Sequence, residues 1–344
     1  MQFILKLVRS KPFDALMGAL FGVLVGAVVF GIIYILQALI LEPLLGPPPS
    51  IVTNVVLPGL AALLILGHAA VGFASGFGMF RSSSLGKFLY YCSATALFRG
   101  TVGMAIAFAF GLAFFNLLSG EPPFELTEGG LVFASIVSVI GFMLGSGAIT
   151  DWILWIGGQQ TPLHHGAPEG KPEWFRYFTA DVNHKVIGIQ YGVTSLIVLL
   201  VGGLFAIIFR IELAQPGMQW LTNDEYNTLF SAHGIVMVAS ILLGVGAMVN
   251  YLVPIMIGAS DMAFPRLNAF SFWVAIPSVL LILGGMVVGG WDTGWVGYPT
   301  LSLVTPKVGV LLFLLGFWIN GFSSIASAIN MIVTTVTMRA PGMT

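Results

Sequence analysis

The sequence predicts an all-α membrane protein, a polytopic bundle of about eight transmembrane helices. Hydrophobic residues make up 57% of the 344 residues and charged residues only 8%, whereas a soluble domain has roughly 25% charged residues. Apolar runs of about 18 or more residues are long enough to cross a bilayer. Eight such runs occur in the chain, at about 15–41, 51–80, 94–118, 131–150, 186–209, 229–257, 270–290 and 308–336.

Glycines at intervals of four residues distinguish the first, second and fourth runs. They are Gly18, Gly22 and Gly26, then Gly72 and Gly76, and then Gly141 and Gly145. Small residues at this spacing let membrane helices approach closely, so we interpret these glycines as packing positions. His68, within the second run, is expected to bridge two helices through a hydrogen bond. Arg99, at the start of the third run, is expected to extend its charged group to the membrane surface, with pairing inside the bundle as the alternative.

The charged residues between the runs predict the orientation of the chain. Loops on one side carry lysines and arginines, which are Lys6, Arg9, Lys11, Arg81, Lys87, Lys171, Arg176, Lys185, Arg266 and Arg339. Loops on the other side carry mainly acids, which are Glu42, Glu121, Glu125, Glu128, Asp224 and Glu225. Positive residues accumulate in cytoplasmic loops, so the N-terminus is predicted to be cytoplasmic. Neither a basic-aromatic patch nor a phosphate loop is found, and nucleic-acid binding is not expected.

The longest polar loop divides the chain into two groups of four predicted helices. This loop, at about 158–185, is rich in proline, glycine and charge, which is typical of a boundary. It separates a four-helix membrane extension of unknown role, residues 1–157, from a second group at 186–344. His164 and His165 lie in this loop, and because no third ligand is evident we interpret them as incidental rather than metal-binding.

The second group places an arginine and a histidine at similar depth on neighbouring helices. Arg210 ends the fifth run, and the sixth begins near Leu229, so His233 is predicted to lie about one turn inside it. An imidazole in lipid requires a ligand or a partner. A guanidinium can hold a carboxylate, a carbonyl or a formyl group. The pair suits a planar macrocycle near the outer face of the membrane, with His233 as an axial iron ligand.

A second set of polar residues lies towards the opposite end of these helices. Its members are Asn250, Asp261, Asn268, Ser323, Ser324, Asn330 and Thr334. Asn250 follows His233 by 17 residues, which is roughly 25 Å along a helix. Polar groups at such depths can line a water chain that admits protons. Spacing alone leaves other interpretations open, because Asp261 could cap the next helix, the asparagines could bridge helices, and the serines could bond to their own backbone.

Six segments of the second group occur in a characteristic order. They are "VNHKVIGIQY" (182–191), "FRIELAQPG" (209–217), "LFSAHGIVMV" (229–238), "NYLVPIMIGASDMAFPRLNAFSFW" (250–273), "DTGWVGYPTLS" (292–302) and "GFSSIASAINMIVTTVTMRAPGMT" (321–344). Together they resemble subunit I of the haem-copper oxidases, over about residues 180–344. The resemblance implies that His233 is an axial ligand of a low-spin haem of a or b type, and that Arg210 bonds the ring substituent. It further implies that Trp295 and Tyr298 belong to an outer loop near the haem edge.

The resemblance also implies a proton path and an activity. Asp261 would form the entrance of the D proton channel, with Asn250 and Asn268 beside it and Ser323 and Ser324 further along. The implied protein is a proton-pumping terminal oxidase of a bacterial or archaeal cell membrane. Electrons would pass through the low-spin haem to a haem-copper centre that reduces O₂ to water. A transporter or structural membrane protein without redox chemistry is the alternative from another class.

The electron donor implied by the resemblance is cytochrome c. Quinol oxidases of the family carry an arginine and an aspartate on the outer half of the first family helix, where this chain has Val201 and Phe205. They also carry a histidine eight residues before the haem ligand, where this chain has Glu225. These differences disfavour quinol, although a quinol oxidase of the same family remains the alternative.

The family's remaining metal ligands follow its fourth helix and are not matched in this chain. We therefore assign no catalytic residue here, and expect the high-spin haem and copper only in the complete subunit. The chain is expected to be the N-terminal part of a longer subunit, with a subunit split between two polypeptides as the alternative. Its expected partners are the remainder of subunit I, other oxidase subunits, cytochrome c and membrane lipid.

Overall fold

The computed structural model describes residues 10–38, 53, 56–79, 82–161, 163, 166–168, 170–304 and 308–343. Its α-helices are α1 (Lys11–Leu36), α2 (Leu57–Gly76), α3 (Ser84–Ser93), α4 (Ala96–Ser119), α5 (Glu128–Ser146), α6 (Thr150–Ile156), α7 (His184–Glu212), α8 (Asn223–Ile257), α9 (Pro265–Val287), α10 (Pro299–Val304) and α11 (Val308–Thr337). A 3₁₀ helix spans Glu173–Phe178. Eight of the described helices are long and apolar enough to cross a membrane. The predicted all-α class is confirmed, and the protein is an integral membrane protein.

Helix α8 begins six residues earlier than the sequence predicts, and a local capping motif explains the difference. The Thr222 hydroxyl accepts the Glu225 N–H at 3.3 Å, and the Glu225 carboxylate accepts the Thr222 N–H at 2.8 Å. This reciprocal capping box satisfies helix N–H groups that lack an intrahelical partner. His233 therefore lies ten residues, or about 15 Å, from the start of its helix rather than one turn from it.

The residues up to Arg99 form one compact unit, in which α1 and α2 cross at their glycines. A Cβ atom built on Gly18 or on Gly72 would overlap the backbone carbonyl of the other glycine. A Cβ on Gly22 would likewise overlap the backbone of His68. Because only glycine permits this approach, the structure confirms the predicted packing role of these residues.

Two expectations for this unit are wrong, and in each case a nearer partner explains the difference. The His68 Nδ1–H donates to the Leu64 carbonyl of its own helix at 2.7 Å, rather than to a second helix. Arg99 forms an ion pair with Asp14 in the first turn of α1 instead of extending to the surface alone. Both side chains of this ion pair are mostly buried. His164 and His165, which the sequence predicts to be incidental, lie outside the described residues.

Replacing Gly72 by valine should loosen this first unit. The added Cβ meets backbone, which cannot move aside as a flexible side chain would, and overpacking of this kind costs about 1–3 kcal/mol. Cys92 on the adjoining α3 is the single cysteine of the chain and reports on the packing. Burial raises the pKa of its thiol, so little of the reactive thiolate forms at neutral pH. Alkylation of Cys92, followed by mass, should therefore accelerate in Gly72→Val.

The matched control for this experiment is Gly67→Val on the same helix. A Cβ at Gly67 would meet no atom of the described residues within 4 Å, so the rate of alkylation should stay at the original value. Equal rates in the two variants would show that the close crossing does not hold this unit together.

Residues 100–344 form the second compact unit. Within it, α7 pairs with α8, α9 pairs with α11, and α5 lies against α9 and α11. The rings of Phe142 on α5 and Trp273 on α9 are 6.4 Å apart. Close approach of Gly103 to Gly141 joins α4 to α5. These contacts place α5 and most of α4 in the second unit, so the compact units divide between residues 99 and 100. Composition predicts a boundary after residue 157 instead. The role of the extension stays a prediction.

Candidate functional site

The first candidate site is His233, at the end of the α7–α8 pair that we call the His233 end. Its Nδ1–H donates to the Gly202 carbonyl on α7 at 2.8 Å. The ring of Phe209 packs edge to face on the imidazole, with 5.5 Å between centroids. A carbonyl acceptor fixes the proton on Nδ1 and leaves the Nε2 lone pair for a ligand. Within the described residues Nε2 has no hydrogen-bond partner, so this histidine fits an axial haem ligand.

Arg210 follows Phe209 in the chain. Within the described residues it makes no hydrogen bond, ion pair or ring contact with the His233 imidazole. It occupies the last turn of α7, and its side chain is exposed. The structure therefore brings Phe209, rather than Arg210, against the His233 ring. An exposed guanidinium in this position can pair with an acidic or carbonyl group of a bound molecule.

The loop before α10 docks on α8 on both sides of His233. The Gly294 N–H donates to the Ser231 hydroxyl at 3.1 Å. Trp295 lies over Gly234, where an added Cβ would be 2.9 Å from the Trp295 Cβ. This placement agrees with a position for Trp295 near a group bound at His233. The Tyr298 side chain is 69% exposed and makes no hydrogen bond or ring contact with the residues described.

The second candidate site begins at Asp261, in the loop between α8 and α9, at what we call the Asp261 end. The carboxylate accepts the N–H of Met262 at 2.7 Å and the N–H of His184 at 3.3 Å. His184 is the first residue of α7, and the positive end of a helix dipole stabilises a carboxylate there. Asp261 does not cap α9, because the N-cap of that helix is Phe264 and makes no side-chain bond.

His184 links this carboxylate to the next polar group. Its buried ring donates from Nδ1 to the Asn250 carbonyl at 2.8 Å. The Asn250 amide donates to the Gly246 carbonyl of its own helix at 2.8 Å, while its buried Oδ1 has no partner among the residues that the structure describes. Asn250 therefore does not bridge two helices through its side chain. An unpaired oxygen at this depth is costly, and a bound water would satisfy it.

Asn268 is the most unusual polar residue of this region. It is only 1% exposed, and neither its Oδ1 nor its Nδ2 has a hydrogen-bond partner in the described part of the chain. Buried amides are almost always satisfied by protein or by water. An amide with both atoms free in the described residues can bind water, which suits the wall of a hydrated path.

Further along, three hydroxyl groups continue the polar track from Asn268. The Ser271 hydroxyl donates to the Asn268 carbonyl at 2.7 Å, and the Tyr191 hydroxyl donates to Ser271 at 3.1 Å. Ser323 donates to the Ser271 carbonyl at 2.6 Å, which is on a neighbouring helix rather than its own backbone. Sequence reasoning missed Tyr191 and Ser271, because a tyrosine and a serine in apolar helices are usual and carry no spacing signal.

Tyr191 and Ser323 of this track border a cavity of about 280 Å³ between α7, α8, α9 and α11, whereas Asn268 and Ser271 do not line it. The cavity is lined by Tyr191, Asn250, Ser323 and Ser324, together with mainly apolar residues. It is large enough for several water molecules, which need polar partners of this kind. The structure therefore brings together Asn250, Ser323 and Ser324, which the sequence analysis had grouped, and adds Tyr191.

Asn330 and Thr334 have a different place from the one the sequence suggests. Asn330 accepts the Phe264 N–H at 2.9 Å and donates to the Phe264 carbonyl at 3.1 Å. The Thr334 hydroxyl accepts the Ala263 N–H at 2.9 Å. Both residues hold the loop that follows Asp261, so they support the candidate site and do not line the cavity.

Comparison with known proteins matches the same part of the chain. Residues 186–344 match the family described as cytochrome c and quinol oxidase polypeptide I. The chain is 44% identical over 173 residues to cytochrome c oxidase subunit 1 of Thermostichus vulcanus, covering 50% of this chain and 31% of that protein. It is also 44% identical over 172 residues to the subunit 1 of Synechocystis sp. (50% and 31%) and over 188 residues to that of Corynebacterium diphtheriae (52% and 32%). The chain therefore spans about a third of the length of these relatives.

Proposed function

We propose that the chain is part of a haem-copper oxidase subunit I and carries the low-spin haem site and the proton path of a proton-pumping terminal oxidase, because residues 186–344 match the family described as cytochrome c and quinol oxidase polypeptide I. Membership of this family implies haem as a cofactor. The observation that carries the proposal is the orientation of His233, whose Nδ1–H is held by the Gly202 carbonyl at 2.8 Å. A metal-bound histidine almost always donates its other ring N–H to such an acceptor.

In this proposal the residues at the His233 end bind and orient a haem of a or b type. His233 would hold the haem iron through Nε2, the Gly202 carbonyl would fix the imidazole ring, and the Phe209 ring would exclude water from one side of it. The exposed guanidinium of Arg210 bonds a substituent of the macrocycle, and the loop of Trp295 and Tyr298 covers its edge. The haem, when bound, supplies a one-electron carrier.

The residues at the Asp261 end admit protons. Asp261 takes up protons at the surface, where the His184 N–H holds its carboxylate. The unpaired amide atoms of Asn250 and Asn268 then offer sites to water, and Ser323, Ser324 and Tyr191 continue the chain of polar groups. This order supports a path that starts at the cytoplasmic face and runs inwards, while the N-terminus lies on that same face.

We infer that the complete enzyme takes electrons from cytochrome c and reduces O₂ to water. Glu225, which stands where quinol oxidases have a histidine, is engaged in the capping box with Thr222. Among the described residues no three His, Cys, Asp or Glu side chains come together as a metal site. We propose that the remainder of subunit I holds the haem-copper centre, as the family resemblance implies. The remainder of subunit I and other oxidase subunits are the proposed partners, in a bacterial or archaeal cell membrane.

The purified complex should show the absorption of a low-spin haem in a reduced-minus-oxidised visible spectrum. It should also consume oxygen with reduced cytochrome c as donor, and consume less with a quinol, because the acidic and basic groups expected for quinol are replaced by Val201 and Phe205. The spectrum and an oxygen electrode together test the proposal.

Two other results would change the proposed function. A colourless complex would favour a transporter or structural protein, in which His233 and Asp261 serve a solute or packing. A coloured complex that prefers quinol would retain the haem site and the proton path but replace the donor.

A further inference from the structure

Arg266 connects the proposed proton path to a part of the chain that precedes the family match. It is the second residue of α9 and lies five residues after Asp261. Its Nε donates to the Asp151 carboxylate at 3.1 Å. One of its terminal nitrogens donates to both the carbonyl and the hydroxyl of Thr161, the latter at 3.0 Å. The guanidinium also lies 5.6 Å from the centre of the Trp155 ring.

The energetics of this contact favour a fixed position for Arg266. A cation in the first turn of a helix faces the positive end of the helix dipole, which is unfavourable without an anion nearby. Asp151 supplies that anion, and the planar guanidinium is bonded through two of its nitrogens, which restricts its rotation. The Arg266 side chain is only 20% exposed, so water screens this ion pair less than it would a pair on an open surface.

The segment from Asp261 to Arg266 is held at three places. Asp261 is bonded by the first N–H of α7. Ala263 and Phe264 are bonded by Thr334 and Asn330 of α11. Arg266 is bonded by Asp151 and Thr161. The second attachment lies within the family-matched residues 186–344, the first reaches His184 just before them, and the third reaches Asp151 and Thr161 further upstream.

We propose that Asp151 and Thr161 act through Arg266 as positioning residues for Asp261, so that the segment before the family domain forms part of the proton-uptake site. This inference rests on the proposed function of Asp261. The segment does not need the ion pair for attachment alone, because Phe142 packs on Trp273 and Trp152 packs on Phe270 with 6.2 Å between ring centres. The ion pair between Arg266 and Asp151 instead lies at the end of the short segment that begins with Asp261, whose carboxylate the other bonds of this segment hold in place.

Asp151→Asn in the assembled complex tests the inference. It should lower kcat by roughly threefold to tenfold, which is the usual size of coupling within one hydrogen-bonded network. KM for the electron donor and the haem spectrum should not change, because the His233 end is untouched. Asp151→Glu, which keeps the charge, should restore most of the rate. The matched control is Glu173→Gln, which removes an 82% exposed carboxylate that has no contact with Arg266.

Amide hydrogen exchange supplies a readout that does not require oxidase activity. Exchange of the Met262, Ala263 and Phe264 amides should be roughly threefold to tenfold faster in Asp151→Asn, by the same coupling, and unaltered in Glu173→Gln. Unaltered exchange in Asp151→Asn, or an equal fall of kcat in the control, would overturn the inference. If Asp261→Asn leaves turnover intact, the proposed function fails instead, while the exchange rates still decide whether Asp151 holds this loop.

Discussion

His233→Ala should abolish the low-spin haem absorption and lower oxygen consumption by more than about a hundredfold. Losing a group that merely orients a metal ligand already costs about 10- to 100-fold in metal affinity or activity, so losing the ligand itself should cost more. The fold should survive, because His233 is only half-buried and its one hydrogen bond is to the Gly202 carbonyl. The measurements are the visible spectrum, the haem content and the rate of oxygen consumption.

His68→Ala is the matched control for this substitution. His68 is also a half-buried histidine in an apolar helix, and its Nδ1–H also donates to a backbone carbonyl. Its removal should leave the haem content and the rate unchanged. Normal haem content in His233→Ala would remove the central assignment, and so would an equal loss of haem in the two variants.

Asp261→Asn should slow turnover by at least about tenfold, since proton transfer by a positioned side chain contributes roughly 10²- to 10⁴-fold. An asparagine oxygen can still accept the N–H groups of Met262 and His184, so the loop should keep its conformation. The amide cannot take up a proton at the pH of the assay, however. The complex reconstituted in vesicles should therefore release few or no protons on the outer side during a pulse of oxygen.

Glu173→Gln again serves as the control for a lost negative charge near the same face. It should pump normally, because its carboxylate is exposed and contacts no part of the polar track. A pumping ratio in Asp261→Asn equal to that of the unmodified complex would contradict the role of Asp261.

The sequence predicts the bundle well because long apolar runs have few alternatives in a membrane. Start and end residues depend on local chemistry that a hydropathy pattern does not contain. Helix α8 includes Asp224 and Glu225, because those acids stabilise its first turn. A search for apolar runs excludes them. Helix α5 ends at Ser146 because Gly147 takes a left-handed conformation, with φ of 82°.

The candidate sites were predictable where a polar residue stands alone in an apolar run. His233 is of this kind, whereas Asp261 is the acid of a short loop between two apolar runs. Their partners were not predictable, because the Gly202 carbonyl has no side-chain signal and His184 lies 77 residues before Asp261 in the chain. Asn330 and Thr334 resemble path residues by depth, but they bond backbone groups of a loop whose course only the fold defines.

The acceptor for His233 is a main-chain oxygen, and this has a consequence for any mutational scan of the protein. No single substitution can delete that oxygen, so alanine scanning of α7 will not report the hydrogen bond directly. It should appear only where a new side chain pushes the two helices apart. Gly202 is such a position, since an added Cβ would lie 2.9 Å from the Met237 sulfur and 3.2 Å from a methyl carbon of the stiffer Val236. A mutational scan of α7 would therefore find a sensitive position at Gly202, although the imidazole that depends on it is His233 on α8.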